Sequence, residues 1–93
     1  MRRRPRLDST QRPIVEALQA AGCSVLSLAP LGGGVPDLLV GLAGRMLLLE
    51  CKTKGERHRE TRERQAAWAT MWQGPHPVIV HSAEEALMAC GLR

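Results

Sequence analysis

The chain has no Phe and no Tyr, so Trp68 and Trp72 are its only aromatic residues. A platform of rings for stacking nucleobases is therefore not expected, and the core has to be assembled from Leu, Val, Ile, Ala and Met. Cysteine is also scarce. Cys23, Cys51 and Cys90 are an odd number and form no Cys-x-x-Cys pair. They do not combine with His58, His76 and His81 at zinc-site spacing, so no structural zinc is expected, and the setting reads as reduced and cytoplasmic. The longest apolar stretches are interrupted by Gly, Asp or Arg within ten residues, too soon for a membrane span. No apolar leader follows the basic start. Neither a Gly-Lys-Ser/Thr phosphate loop nor a Gly-x-Gly-x-x-Gly turn is present.

What is present suits one small folded domain. Ninety-three residues with 44% hydrophobic and 24% charged side chains have room for a single core. The net charge is +4, and its location matters more than its sum. Arg2, Arg3, Arg4 and Arg6 account for four of the thirteen basic residues, leaving nine against nine acids in the remainder. Residues 1–8 thus read as a basic arm and residues 9–93 as a formally near-neutral domain. Such an arm suits phosphate contacts, where neutralisation releases counterions; it equally suits a solvated tail.

Periodicity organises the domain. Ser9 or Thr10 is positioned to cap a helix carrying Ile14, Val15, Leu18 and Ala21, with Pro13 in its first turn and Gly22 as its stop. Cys23 to Ala29 reads as a short strand and Pro30 to Pro36 as an irregular loop. Leu38–Leu42 and Arg45–Lys52 read as a hairpin around Ala43-Gly44. Thr61 is expected to cap a helix ending near Gln73, followed by a strand over Pro77–His81. Ser82 and Glu85 form a capping box for the last helix. The predicted fold is a single α/β domain of αβββαβ(α) order. Its mixed sheet combines an antiparallel hairpin with a parallel crossover strand, and helices flank it.

The hairpin carries the chemistry. With Ala43 and Gly44 as turn residues, Asp37 falls opposite Glu50, and like charges that close are destabilising. Two carboxylates held there call for a cation. Lys52, two residues after Glu50, projects to the same side. Hard oxygen ligands from Asp37 and Glu50, joined by the backbone carbonyl of Cys51, describe a Mg2+ site, with Mn2+ as a possible substitute. Lys52 would orient or deprotonate a water, or stabilise the transition state of an attacked phosphodiester. The plainer alternative is a Pro-Asp turn and a strand with a polar end, as many unrelated domains have.

Val35-Pro36-Asp37, a spacer, and Glu50-Cys51-Lys52 after the apolar run Met46–Leu49 resemble the PD-(D/E)XK nuclease signature. The loop Gly32-Gly33-Gly34-Val35-Pro36-Asp37, Gln65 in the next helix, and Val78-Ile79-Val80 followed by Ser82-Ala83-Glu84-Glu85 resemble the VRR-NUC (virus-type replication-repair nuclease) family, over roughly residues 10–90. The resemblance implies a restriction-endonuclease-like fold and Mg2+-dependent, structure-specific cleavage of DNA. It further implies a homodimer acting on branched substrates such as Holliday junctions, in a bacterial or phage-infected cytoplasm. Asp37 and Glu50 would bind metal, Lys52 would be catalytic and Gln65 would support the site. Family members bear an acid in the first helix, for which Asp8 and Glu16 are the candidates.

Gln65, Trp68, Ala69 and Trp72 share a helical face, which the tryptophans mark as buried, so Gln65 needs a polar partner there. Trp68, Met71 and Trp72 read as core or dimer interface. The triple glycine reads first as turn material that delivers Asp37; the competing reading is that Gly33 and Gly34 leave room for a phosphate or DNA strand beside the backbone, with Lys54, Arg57 and Arg59, and Arg62 and Arg64, placed to track phosphates beside the scissile bond. Interleaved glutamates make a solvated helix start the competing reading. His58 and His81 show no carboxylate partner at a readable spacing and read as structural. The rival function is a non-catalytic nucleic-acid-binding module that keeps the fold; a protein-interaction domain would make the triad accidental.

Overall fold

The structure, a computed structural model, describes residues 9–55 and 59–93, with only the backbone at Arg59. The expectations for Arg2, Arg3, Arg4, Arg6, Asp8, Arg57 and His58 lie outside the described residues.

Helix α1 spans Gln11–Ala20 and buries Gln11, Ile14, Val15 and Leu18. Glycine at position 22, with φ 93°, ends it. The expected hydroxyl cap is not made: Thr10 stands at the cap position in helical geometry without a side-chain cap bond. Its Oγ1 instead meets Oγ1 of Thr53 at 2.6 Å, tying the helix start to the chain beyond Lys52.

Strand β1 covers Ser24–Ser27. The loop after it is not wholly irregular, because Ala29–Leu31 form a single 3₁₀ turn with Pro30 near its start. Proline's fixed φ suits a first helical turn, where its missing N–H has no partner to lose. Strands β2 (Leu38–Leu42) and β3 (Arg45–Cys51) follow. Ala43 (φ 50°) and Gly44 (φ 78°) between them both take positive φ, as a two-residue hairpin turn of matching twist requires. Helix α2 spans Arg59–Met71. It starts before Thr61, so Thr61 is a helical residue and not the cap; Arg and Glu are good helix formers and carry the helix past it. Strand β4 is Val78–Val80, and helix α3 is Ala83–Ala89 with Ser82 as its cap.

The strands lie in the order β1-β2-β3-β4. Both pairings within β1-β2-β3 are antiparallel and β3 pairs with β4 in parallel, which is the mixed sheet that the sequence pattern predicts. Side chains alternate between its faces. Leu38, Val40, Leu49, Cys51 and Val80 lie on one face and are buried with Ile14, Leu18, Ala86 and Cys90. Helices α1 and α3 cover that face, and each fully buried Leu or Ile contributes about 1.5–3 kcal/mol.

The other face carries Glu50 and Lys52. It is only partly covered, leaving Leu26, Met46 and Ile79 exposed. Helix α2 stands against the end of this face that bears Glu50 and Lys52, and here the expectation of a buried tryptophan face fails. Trp68 is half-buried and Trp72 is 44% exposed, their rings stacked with centroids 4.9 Å apart. Helical periodicity gathers apolar residues on one side, but burial also needs a surface to cover them, and the sheet presents a cleft there. Among the described residues no helix is long and apolar enough to cross a membrane.

Candidate active site

The hairpin register brings the two carboxylates together. Leu38 pairs with Leu49, so the next position outward sets Asp37 across from Glu50. Asp37 is fixed from two directions. Its carbonyl accepts the Leu28 N–H at 2.8 Å, and its Oδ2 accepts the Cys51 N–H at 2.7 Å. The loop that delivers it is pressed against α2: a Cβ on Gly34, which has φ 85°, would sit 2.3 Å from the backbone oxygen of Arg64. Only glycine meets both the positive φ and the close approach.

Glu50 is 4% exposed. Its carboxyl is pushed up to about 8 from an ordinary 4.5. Burial is the main cause, followed by a hydrogen bond with Asp37 and by Asp37's negative charge, while the Lys52 ammonium pulls the other way. Without a cation between them, the pair therefore relieves its repulsion by holding a proton. That pair supplies hard oxygen donors, and one or two carboxylates completed by waters and substrate phosphate are what Mg2+ takes. The residues fit such an ion. Among the described residues no cluster of three His, Cys, Asp or Glu side chains is assembled, so the side-chain oxygens that could serve such an ion are those of the Asp37–Glu50 pair.

Lys52 projects from the end of β3, its Nζ donating to Oε1 of Gln65 on α2 at 2.7 Å. This bond gives the half-buried glutamine its partner and spans the cleft between sheet and helix. Gly34, Glu50, Lys52, Arg62, Gln65 and Trp68 line a cavity of about 610 Å³ there. Its remaining wall includes His76 and His81, two residues that sequence reasoning left out of the site. For His81 a signal was available: Glu85, four residues on, accepts both its backbone N–H and its ring Nδ1 at 3.0 Å. The intervening helix cap obscured that pairing in the sequence.

Other candidates lie elsewhere. Glu16 is exposed on α1, on the side opposite Ile14 and Leu18, and is not among the residues lining the cavity. Gly33 and Lys54 are exposed and lie outside its lining, and Arg59 opens α2.

A search of curated proteins gives no match. The family model described as archaeal Holliday junction resolvase (Hjc) matches residues 3–85. The match supports the PD-(D/E)XK resemblance at the superfamily level, and the family it names is Hjc where the sequence motifs suggested VRR-NUC. Because the matched span includes the hairpin, α2, β4 and the start of α3, the chain belongs to the archaeal Holliday junction resolvase family of PD-(D/E)XK nucleases.

Proposed function

We propose that the protein is a Mg2+-dependent endonuclease that hydrolyses phosphodiester bonds in branched DNA, with four-way junctions as its substrate, and that it works as a homodimer. The observation that carries this reading is the gathering of Glu50, Lys52 and Gln65 at one cleft, with Asp37, from the loop before β2, set against Glu50 by the hairpin register and bonded to the Cys51 N–H. A kinship with VRR-NUC enzymes, resting on motif spacing, leads to the same chemistry.

Asp37 and Glu50 would hold the ion, with the Cys51 carbonyl as a third oxygen. When bound, Mg2+ would act as a Lewis acid, offsetting the charge that builds on the phosphodiester under attack. Glu50 must release its proton to serve as a ligand, so occupation of the site is coupled to pH. Asp37 keeps its orientation through the Cys51 N–H. Lys52 has three donors; with one on Gln65, two remain for oxygens of the scissile phosphate. Gln65 fixes the ammonium in the cleft and so reduces the reorganisation needed in the transition state.

Support for a dimer comes from the exposed apolar surface beside the site. Met71 is 76% exposed and Trp72, next to it in the chain, is 44% exposed. A second copy covering that surface would set two cleavage sites on one junction.

The test incubates the protein with four-way, flapped and linear DNA, in Mg2+ and in chelator. Paired cuts in the four-way substrate, dependent on Mg2+, are expected. Binding without cleavage in any divalent metal would favour a non-catalytic module, and equal cleavage of linear duplex would refute junction selectivity.

A further inference from the structure

The register of β3 on β4 places a second polar group beside Lys52. Glu50 pairs with Ile79 and Cys51 with Val80, and the Lys52 N–H donates to the Val80 carbonyl at 3.0 Å. The next pair along is Lys52 and His81. Alternation puts Glu50, Lys52, Ile79 and His81 on one sheet face, and all four line the same cavity.

His81 is held there. Oε1 of Glu85 accepts the His81 backbone N–H and ring Nδ1, both at 3.0 Å. Glu85 is itself fixed, because its N–H donates to Oγ of the helix cap Ser82 at 3.1 Å. An ordinary capping box would return the carboxylate to the cap residue's own N–H; here it reaches one residue further back and takes the imidazole as well. A carboxylate only accepts, so Nδ1 carries a proton, and in the imidazolium form Nε2–H is a second donor directed at a different partner. The imidazole is 36% exposed and so reachable from solvent at the cavity wall. With Lys52, Arg62 and His76 on the other walls, the cavity gathers nitrogen groups suited to an anion.

We propose that His81 is a substrate-contacting residue that, as the imidazolium, donates from Nε2–H to a backbone phosphate of the DNA strand lying in the cavity, and that Glu85 is its positioning residue. The proposal rests on the reading of the cleft as a nuclease site. It assigns to α3, otherwise a core helix, the task of aiming a side chain at substrate.

The experiment measures affinity for a fluorescent four-way junction in chelator, together with single-turnover cleavage in Mg2+. It compares wild type with His81→Ala, His81→Phe, Glu85→Ala and the double variant His81→Ala/Glu85→Ala. His81→Phe keeps the ring and removes both nitrogens, and a thermal melt verifies that each variant is folded. Loss of one phosphate hydrogen bond is expected to weaken binding about five- to tenfold in both His81 variants. The double variant should be no weaker than His81→Ala alone, because Glu85 acts through the imidazole. If wild type binds and cleaves while both His81 variants match it, this inference is overturned and the nuclease reading stands. If Glu85→Ala weakens binding equally with and without His81, the positioning role is overturned. If wild type neither binds nor cleaves, both readings fall.

Discussion

The buried carboxyl of Glu50 makes the stability of the metal-free protein depend on pH in a way that Glu50→Gln should abolish. Its value in the folded protein is about 8 against an ordinary 4.5. Below 4.5 both folded and unfolded chains hold the proton, and this group adds no pH dependence. Between 4.5 and 8 the unfolded chain has released it while the folded chain retains it, so stability falls as pH rises; above 8 the loss is complete. At about 1.4 kcal/mol per pH unit, and allowing for screening at the cavity mouth, the loss should be on the order of 2–3 kcal/mol. Glutamine keeps the shape, stays neutral and can donate to Asp37. Glu50→Gln should therefore match wild type near pH 4.5 and exceed it by about 2–3 kcal/mol at pH 8, a gap of about 10 °C or more in Tm for a domain of this size. Urea unfolding in chelator at a series of pH values provides the assay. Added Mg2+ should recover stability at pH 8 in wild type only, by binding the folded state. Parallel pH profiles for the two proteins would refute the reasoning.

Two further substitutions separate charge from geometry. Asp37→Asn should abolish cleavage yet melt no lower than wild type in chelator at pH 8, because the amide oxygen still accepts the Cys51 N–H. Asp37→Ala removes the 2.7 Å bond from the Cys51 N–H and should lose about 1 kcal/mol by urea unfolding. Gly34→Ala places a methyl group 2.3 Å from the Arg64 carbonyl oxygen, at φ 85°. The clash must push the Asp37 loop from α2, and the expected outcome is about 2 kcal/mol lost with cleavage reduced at least tenfold; wild-type melting and activity would contradict it.

The hairpin was legible in the sequence because a two-residue turn at Ala43-Gly44 fixes register and parity together. Once Leu42 pairs with Arg45, Asp37 and Glu50 have to meet, and the two-residue strand period brings Lys52 to the same side. The parallel strand and the final helix were legible for similar local reasons, through an apolar run and a Ser82–Glu85 cap. Features decided between elements were not. Thr10 is a good cap by type, but its hydroxyl goes to Thr53, a partner 43 residues away. Trp68 and Trp72 make an apolar helical stripe, yet nothing in that stripe tells whether the sheet rises to cover it. The role of a proton in place of a cation between Asp37 and Glu50 depends on how deeply Glu50 is buried, which the alternation alone does not fix. His81 was missed because its partner sits on the next element.

The most direct test of the central claim is the single-turnover cleavage rate of a four-way junction by wild type and Lys52→Ala, in Mg2+ and in chelator, with junction affinity measured alongside. Cutting by wild type in Mg2+ alone, and a loss of at least a hundredfold in Lys52→Ala while it still binds the junction, is the predicted result. Cleavage that persists in chelator, or that survives in Lys52→Ala, would show that the Asp37, Glu50 and Lys52 cleft does not perform the reaction.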